Sequence, residues 1–432
     1  MLSKNQPNEE DSSGTAIAVM GSDARVPGQR GKMHLEQYEG WTELERVRPA
    51  WESLLLASPE RTIFLTWEWL KPWWNAYGNG QRVIGLAAYE ESKELVGLAL
   101  LSFEKRSTPL GTLKFLCLLG DGTKDSDSLD FIVRSGCEQE FAAAVLDWCT
   151  QHRAEWDLLS LNTVPAESPA AKALGTELAA RRWICWQREN DHQVVHLPGN
   201  WEEYFSGLSR KMRKEINQKT RRIEKNYQSI RRRCQSQEEL PHFLEQLFDL
   251  HTKRWSLRHE AGSFSLPARR QFYAEMAAIF LERGWLEFWL LELNGKAVST
   301  EFNFQFGSAH YTLQNGFDPA FSSDSVGTVL KSMILRDLIS RGAGTYDFLG
   351  DSDPYKLRWN ATTHLYLQRS CARPGSRGAW YLRMMRSAAA TRAHLRSVLP
   401  ESARKSLRNR YNRLLGRRAM PVSAESEQGS DE

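Results

Sequence analysis

The hydrophobic period of this chain changes twice in the same order, and that repeated order limits the folds open to it. Two stretches of helical period, 41–56 and 67–76, give way to three of strand period, 82–89, 96–103 and 113–119. A helix at 138–153, a buried strand at 156–161 and a second helix at 168–181 follow. From residue 201 the order returns: helices at 201–225, 238–258 and 268–283, strands at 286–293, 297–306 and 310–315, a helix at 326–341, a strand at 345–349 and a closing one at 364–369. Local punctuation agrees. Thr66 is placed to cap the second helix, with Pro72 marking an early helical position or a kink; Ser168-Pro169 opens another, and Asn294-Gly295 is a tight hairpin signal. A meander followed by a helix and a further strand buries its helices on a sheet, so each copy predicts an α/β (α+β) layer with a mixed, mostly antiparallel sheet. At 432 residues the chain exceeds one ordinary core. The expected organisation is a tail at 1–33 without packed structure, domains at 34–195 and 196–372, a basic helical tail at 373–418 and an acidic end at 419–432.

Several classes lose ground on composition. No apolar run approaches the roughly 18 residues that span a bilayer, and the first thirty residues are polar, which predicts a cytoplasmic protein. Six cysteines are scattered without a C-x-x-C pair, so reduced structural thiols are expected and neither a disulfide framework nor a zinc cage. His192 and His196 fall on a strand pattern without helical metal-ligand geometry, and Asp125 and Asp127 lack the rest of a calcium loop; no metal is called for. There is no G-x-S-x-G, Walker loop or G-x-G-x-x-G. The net charge of +4 hides segregation, with basic runs at 210–233 and 369–418 and an acidic 425–432. Such a map suits an anionic partner, although solvated helix faces explain any one run as well.

The second copy carries most of the chemistry-bearing phrases: QNGFD at 314–318, SVG at 325–327, YDFLGD at 346–351 and YKLRW at 355–359. Together they resemble the CelD-like acetyltransferases of the GCN5-related N-acetyltransferase (GNAT) group, a type associated with cellulose and exopolysaccharide biosynthesis and similar to the Fem peptidyltransferases. The resemblance covers about residues 40–370; the first copy matches mainly in layout, including Trp67, Trp69 and 127–131. It implies two tandem GNAT-like domains and an acyltransferase that moves acetyl, or another acyl group, from acyl-CoA to an amine or hydroxyl of a sugar, lipid or cell-envelope precursor. In such a site the thioester lies where two neighbouring strands part, here 310–315 and 345–349, and a backbone N–H bonds the carbonyl as it gains charge. Carrier phosphates would sit at the start of the next helix, on Ser325 as cap, on Gly327 and Thr328, with Gln314 and Asn315 beside them. One departure stands out: residues 315–328 contain Asp318 and Asp324 and no basic residue before Lys331. Fem-like aminoacyl transfer from a charged tRNA therefore stays open beside acyl-CoA, and so does a non-catalytic scaffold role in a polysaccharide-synthesis complex.

Within that frame the resemblance points to Lys356 as stabiliser of the forming oxyanion, the bland alternative being a surface ion pair. Asp351 and Asp347 share a strand face, and Asp351, at the strand end, is the favoured proton acceptor; Glu301, among Phe302, Phe304 and Phe306, is the other candidate or simply an exposed strand residue. Tyr355 is the better of two tyrosines to protonate a leaving thiolate, Tyr311 reading as core. Lys211 and Arg213 resemble a basic helix entrance facing substrate, and Arg254, Trp255, Arg358 and Trp359 are candidates to line an acceptor cleft. The interleaved arginines and apolar residues of 379–418 offer three readings: packing on the second domain, peripheral contact with the inner face of a membrane, or RNA.

Overall fold

A computed structural model describes residues 33–398 except Glu60, Asn79, Lys124, residues 257–261 and Asp351. The expectations for the tail at 1–32, for Asp351, and for 399–432 lie outside the described residues.

The first half opens with β1 (His34–Glu39), α1 (Gly40–Ala57) and α2 (Trp67–Tyr77), followed by a meander of β2 (Arg82–Tyr89), β3 (Leu95–Thr108) and β4 (Gly111–Leu118). A two-residue β5 (Ile132–Val133), α3 (Glu138–Gln151), β6 (Leu158–Pro165), α4 (Pro169–Ala180) and a long β7 (Ile184–His196) complete it. The second half runs through α5 (Trp201–Gly207), α6 (Arg210–Asn226), β8 (Ser229–Arg233), α7 (Leu240–Ser256), α8 (Pro267–Glu282), β9 (Leu286–Leu293), β10 (Lys296–Phe306) and β11 (Ala309–Phe317). Then come α9 (Val326–Ser340), β12 (Thr345–Asp347), α10 (Pro354–Leu357), β13 (Thr362–Ala372) and α11 (Arg377–Val398).

Local chemistry explains the elements that the sequence announces. Thr66 accepts the Trp69 amide at 3.2 Å and starts α2; Ser168 accepts Ala171 N at 3.1 Å and starts α4. Asn294 and Gly295 both take positive φ, 51° and 79°, as the two-residue turn between β9 and β10 demands. The helix expected over 201–225 is two helices. Leu208 is extended, and Ser209 starts α6 by accepting Met212 N at 3.2 Å.

All the described strands join one mixed sheet in the order β1-β2-β3-β4-β6-β13-β7-β12-β11-β10-β9-β8, with β5 on β3. Each half contributes a meander and one parallel pair, β4 with β6 and β11 with β12. Continuity comes from an exchange: β13, late in the chain, lies between β6 and β7, antiparallel to both. Helices cover both faces. On one, Trp69 of α2 meets Phe64, Phe272, Phe280 and Phe304, an aromatic seam drawn from both halves. On the other, α5, α6 and α9 close a second core around Val329, Leu330, Leu335 and Trp359. No helix of the described residues is long and apolar enough to cross a membrane.

Candidate functional site

Strands β11 and β12 run parallel for three registered pairs, Ala309↔Thr345, His310↔Tyr346 and Tyr311↔Asp347, and their ladder ends there. Two local features part them. On β11, Phe302 faces Gln314 while Asn303 faces Thr312, so Leu313 is an extra residue that bends the strand away. On the other side the chain beyond β12 turns at Leu349 and Gly350, at φ 50° and 60°. The stretch Leu313, Gln314, Asn315 is left half-buried along a wedge. Helix α7 can lie directly on β11 because Gly316 has no side chain: a Cβ there would stand 2.6 Å from His251 N. The corresponding parting in the first half, after Cys117↔Ser160, is lined by Leu118, Phe131, Leu161, Val164 and Leu367 with two charged groups, Asp130, which bonds Ser168, and Arg369, which bonds the Ala171 carbonyl and Gln187. The second wedge presents convergent polar groups.

Its floor is a closed ionic cluster. Glu301 of β10, on the face opposite Phe302 and Phe304, receives Lys331 of α9, whose Nζ lies 2.9 and 3.0 Å from the two carboxylate oxygens. Lys331 also donates to the Tyr346 hydroxyl at 2.7 Å, which in turn donates to Glu301 at 3.0 Å. Lys331 is 1% exposed and Glu301 2%. Burial pushes the lysine pKa down against the pull of Glu301, and burial followed by the Glu301 charge pushes the Tyr346 phenol far up. Glu301 is thus neither an exposed strand residue nor an uncommitted base. The apolar helix around Lys331 masks its role in the sequence.

At the crotch of the wedge stands Asp347. Its Oδ1 accepts the Leu349 amide at 2.8 Å, and burial raises its pKa to about 6, opposed by that amide and by the nearby Lys356 ammonium. Lys356, half-buried on α10, donates to the Leu349 carbonyl. Residues of the first half hold the turn between them: Asp127 accepts Gly350 N at 2.7 Å, the Gln193 side chain donates to Ser352 at 3.0 Å and accepts Asp353 N at 3.1 Å, and the Gln193 carbonyl accepts Phe348 N at 3.1 Å. Asp353 then caps α10 by accepting Tyr355 N at 2.8 Å. The Tyr355 phenol is raised by burial and, second, by Glu301.

Several expected cleft residues have other occupations. Trp359 is fully buried, with its carbonyl accepting the Tyr204 hydroxyl, because the second core needs its bulk. Arg358 pairs with Glu215 at 2.5 Å and ties α10 to α6. Arg213 bonds the Ser206 and Leu208 carbonyls, closing the end of α5, and Lys211 is exposed on α6. Trp255 is half-buried beside His251. By contrast Arg254 does reach the wedge edge, bonding the Asn315 side chain, and Gln314 lies half-buried on the same strand; burial lowers the pKa of the neighbouring His251 to about 4.

At the start of α9, Ser325 occupies the cap position but its hydroxyl caps nothing: its backbone is left-handed, φ 50°. The Ser325 carbonyl takes the first helical bond, from Val329 N, so the amides of Val326, Gly327 and Thr328 precede the ladder. Gly327 is half-buried, and a Cβ there would meet only Ser299 Oγ at 3.9 Å. The acids of this loop are met by cations, Asp324 by Arg222 at 2.7 Å and Asp318 by Lys296 at 2.7 Å; the Tyr227 hydroxyl also donates to Asp324, and Lys219 bonds the Ser323 carbonyl. Arg222 and Lys219 come from α6, inside what the sequence shows merely as a basic run. Leading amides, an open glycine and half-exposed basic groups fit an anionic carrier.

Residues 210–357 match the family model described as an acetyltransferase (GNAT) domain, so the second half carries a GNAT-type acetyltransferase domain. No curated protein matches the chain. Among solved structures it is similar to FemX, at 13% identity over 74% of this chain and 95% of that one, with a TM-score of 0.54. It is also similar to a conserved protein of unknown function from Bacteroides thetaiotaomicron VPI-5482, at 13% identity over 76% and 97%, with a TM-score of 0.50. These likenesses concern the fold alone, a mixed sheet flanked by helices.

Proposed function

We propose that the second half transfers an acyl group, acetyl first among the candidates, from acyl-CoA to an amine or hydroxyl on a sugar, lipid or cell-envelope precursor such as an exopolysaccharide unit. The supporting observation is the parting of β11 from β12, with a buried carboxyl of raised pKa at its crotch and a helix start flanked by Arg222 and Lys219 at its side. An edge amide N–H of β11 beyond Tyr311 donates to the developing oxyanion, and Lys356 adds positive charge nearby. The acceptor attacks the thioester carbon, its proton passes to Asp347, and the C–S bond breaks. Tyr355, kept protonated by burial, supplies the proton the thiolate takes up. Asp347 takes the role that the sequence favoured for Asp351, and Glu301 becomes the anchor of Lys331.

Native mass spectrometry of the full chain against a panel of acyl-CoAs tests this reading. One acyl-CoA should be retained, and Lys356→Ala should slow its turnover about tenfold or more with retention unchanged. A second reading, aminoacyl transfer from a charged tRNA, is favoured by the acids Asp318 and Asp324 in the donor loop. Retention of charged tRNA and of no CoA ester would replace the first reading with the second.

A further inference from the structure

Helix α11 has two surroundings. Ala379 and Leu382 are buried with Leu113, Phe115, Leu158 and Ala372, so one stripe packs on the sheet. Turned outward at three- and four-residue spacing are Arg377, Trp380, Arg383, Ser387, Thr391 and His394, all exposed. Trp380 is 61% exposed, and the Arg383 guanidinium stands 5.7 Å from its ring centre. Arg377 donates to the Leu110 carbonyl at 3.2 Å, which brings Leu110, 41% exposed at the β3–β4 turn, to the same rim. Beside the helix the pattern recurs: exposed Arg188 lies 4.2 Å from the ring centre of Trp186, which packs on the same small core. The span Arg377–Val398 carries five arginines and no acid, and residues 399–418 add more Lys and Arg against the single acid Glu401.

We infer that this face is a docking surface for an anionic lipid layer, with Trp380 and Leu110 entering the headgroup region and Arg377 and Arg383 meeting lipid phosphates. Charge complementarity selects an anionic partner. The apolar tips select lipid over nucleic acid: an exposed indole and an exposed leucine gain from leaving water, whereas a phosphodiester backbone offers them nothing to pack on. A guanidinium set over an indole keeps its charge at headgroup level while the ring lies deeper. The inference is independent of the acyl-transfer reading.

Flotation of the full chain with vesicles decides it, comparing pure phosphatidylcholine with a mixture that is about one third phosphatidylglycerol. The protein should float with the anionic vesicles alone and be released at high salt. Trp380→Ala and Arg383→Glu should each reduce the bound fraction about fivefold, with unchanged thermal melts because both side chains are exposed. Equal binding to neutral vesicles, or undiminished binding by both variants, overturns the proposal. So does single-stranded RNA that strips the protein from vesicles at equal phosphate concentration, which reassigns the face to nucleic acid.

Discussion

Two buried carboxylates lie within one site, and their partners give them different chemistry. Glu301 meets an ammonium with both oxygens, and a buried ion pair closed in this way holds position and does not exchange protons readily. Asp347 meets one amide with one oxygen, and burial dominates, pushing its pKa up to about 6. A carboxyl that titrates higher when folded contributes stability that is complete below its unfolded pKa, near 4, and is lost as pH rises through about 6. Asp347→Asn keeps an oxygen for the Leu349 amide and removes the buried charge. It should therefore raise stability at neutral pH by up to about 3 kcal/mol in urea melts, and flatten part of the decline between pH 4 and 6. Asp121, also raised to about 6 by burial, and Asp125, raised by burial, still contribute to that decline. If Asp347 is the proton acceptor, the same variant loses roughly a hundredfold in kcat, together with the acid limb of the pH profile. A more stable enzyme with full turnover would move that role elsewhere. Strand alternation alone places Asp347 among the candidates, but the burial that singles it out is a property of the folded sheet that no local pattern announces.

Elements differ in how far the sequence reveals them. The β9–β10 turn is legible because Asn-Gly is the local solution to two positive φ angles; the turn after β12 is not, because Leu349 takes φ 50° against its own preference. What holds that turn is remote in sequence: Asp127 on Gly350, and Gln193 on Phe348, Ser352 and Asp353. The first half is therefore more than the far wall of a cleft, since it fixes the segment that carries Lys356. Asp127→Ala should lower kcat about tenfold with little change in donor KM, and should speed proteolytic cleavage near Gly350. Asp127→Asn, whose amide oxygen can still accept the Gly350 N–H, should recover most of the loss. An Asn variant as impaired as the Ala variant would show that the charge of Asp127 matters and not its hold on the turn. The long β7 shows a related limit: Gln-Val-Val between His192 and His196 suggests a strand there, but the polar run before it, 187–191, gives no apolar period to read.

At the scale of the whole molecule, the repeat in the sequence predicts two bodies meeting near residue 195, and the topology binds those bodies by exchange. Strand β13 belongs to the second copy in sequence, yet it pairs along β7 from Thr362↔Val194 to Ala372↔Ile184 and along β6 from Tyr366↔Pro165 to Cys371↔Leu159. Strand periodicity cannot reveal such a destination, because a strand buried on both edges has the same alternation wherever it is inserted. The consequence for stability is specific. A fragment of residues 34–195 keeps its meander but loses the strand that joins β6 to β7, leaving two long unpaired edges, a recognised route to aggregation. A fragment of 196–372 keeps β13 with neither neighbour. Expressed separately, both should be insoluble or unfolded, and the full chain should unfold in urea as one transition. Tryptophan fluorescence and far-ultraviolet circular dichroism should then share a midpoint. A soluble 34–195 fragment with its own cooperative melt, or two separated transitions in the full chain, would show that β13 is dispensable to the first half and that each copy folds by itself.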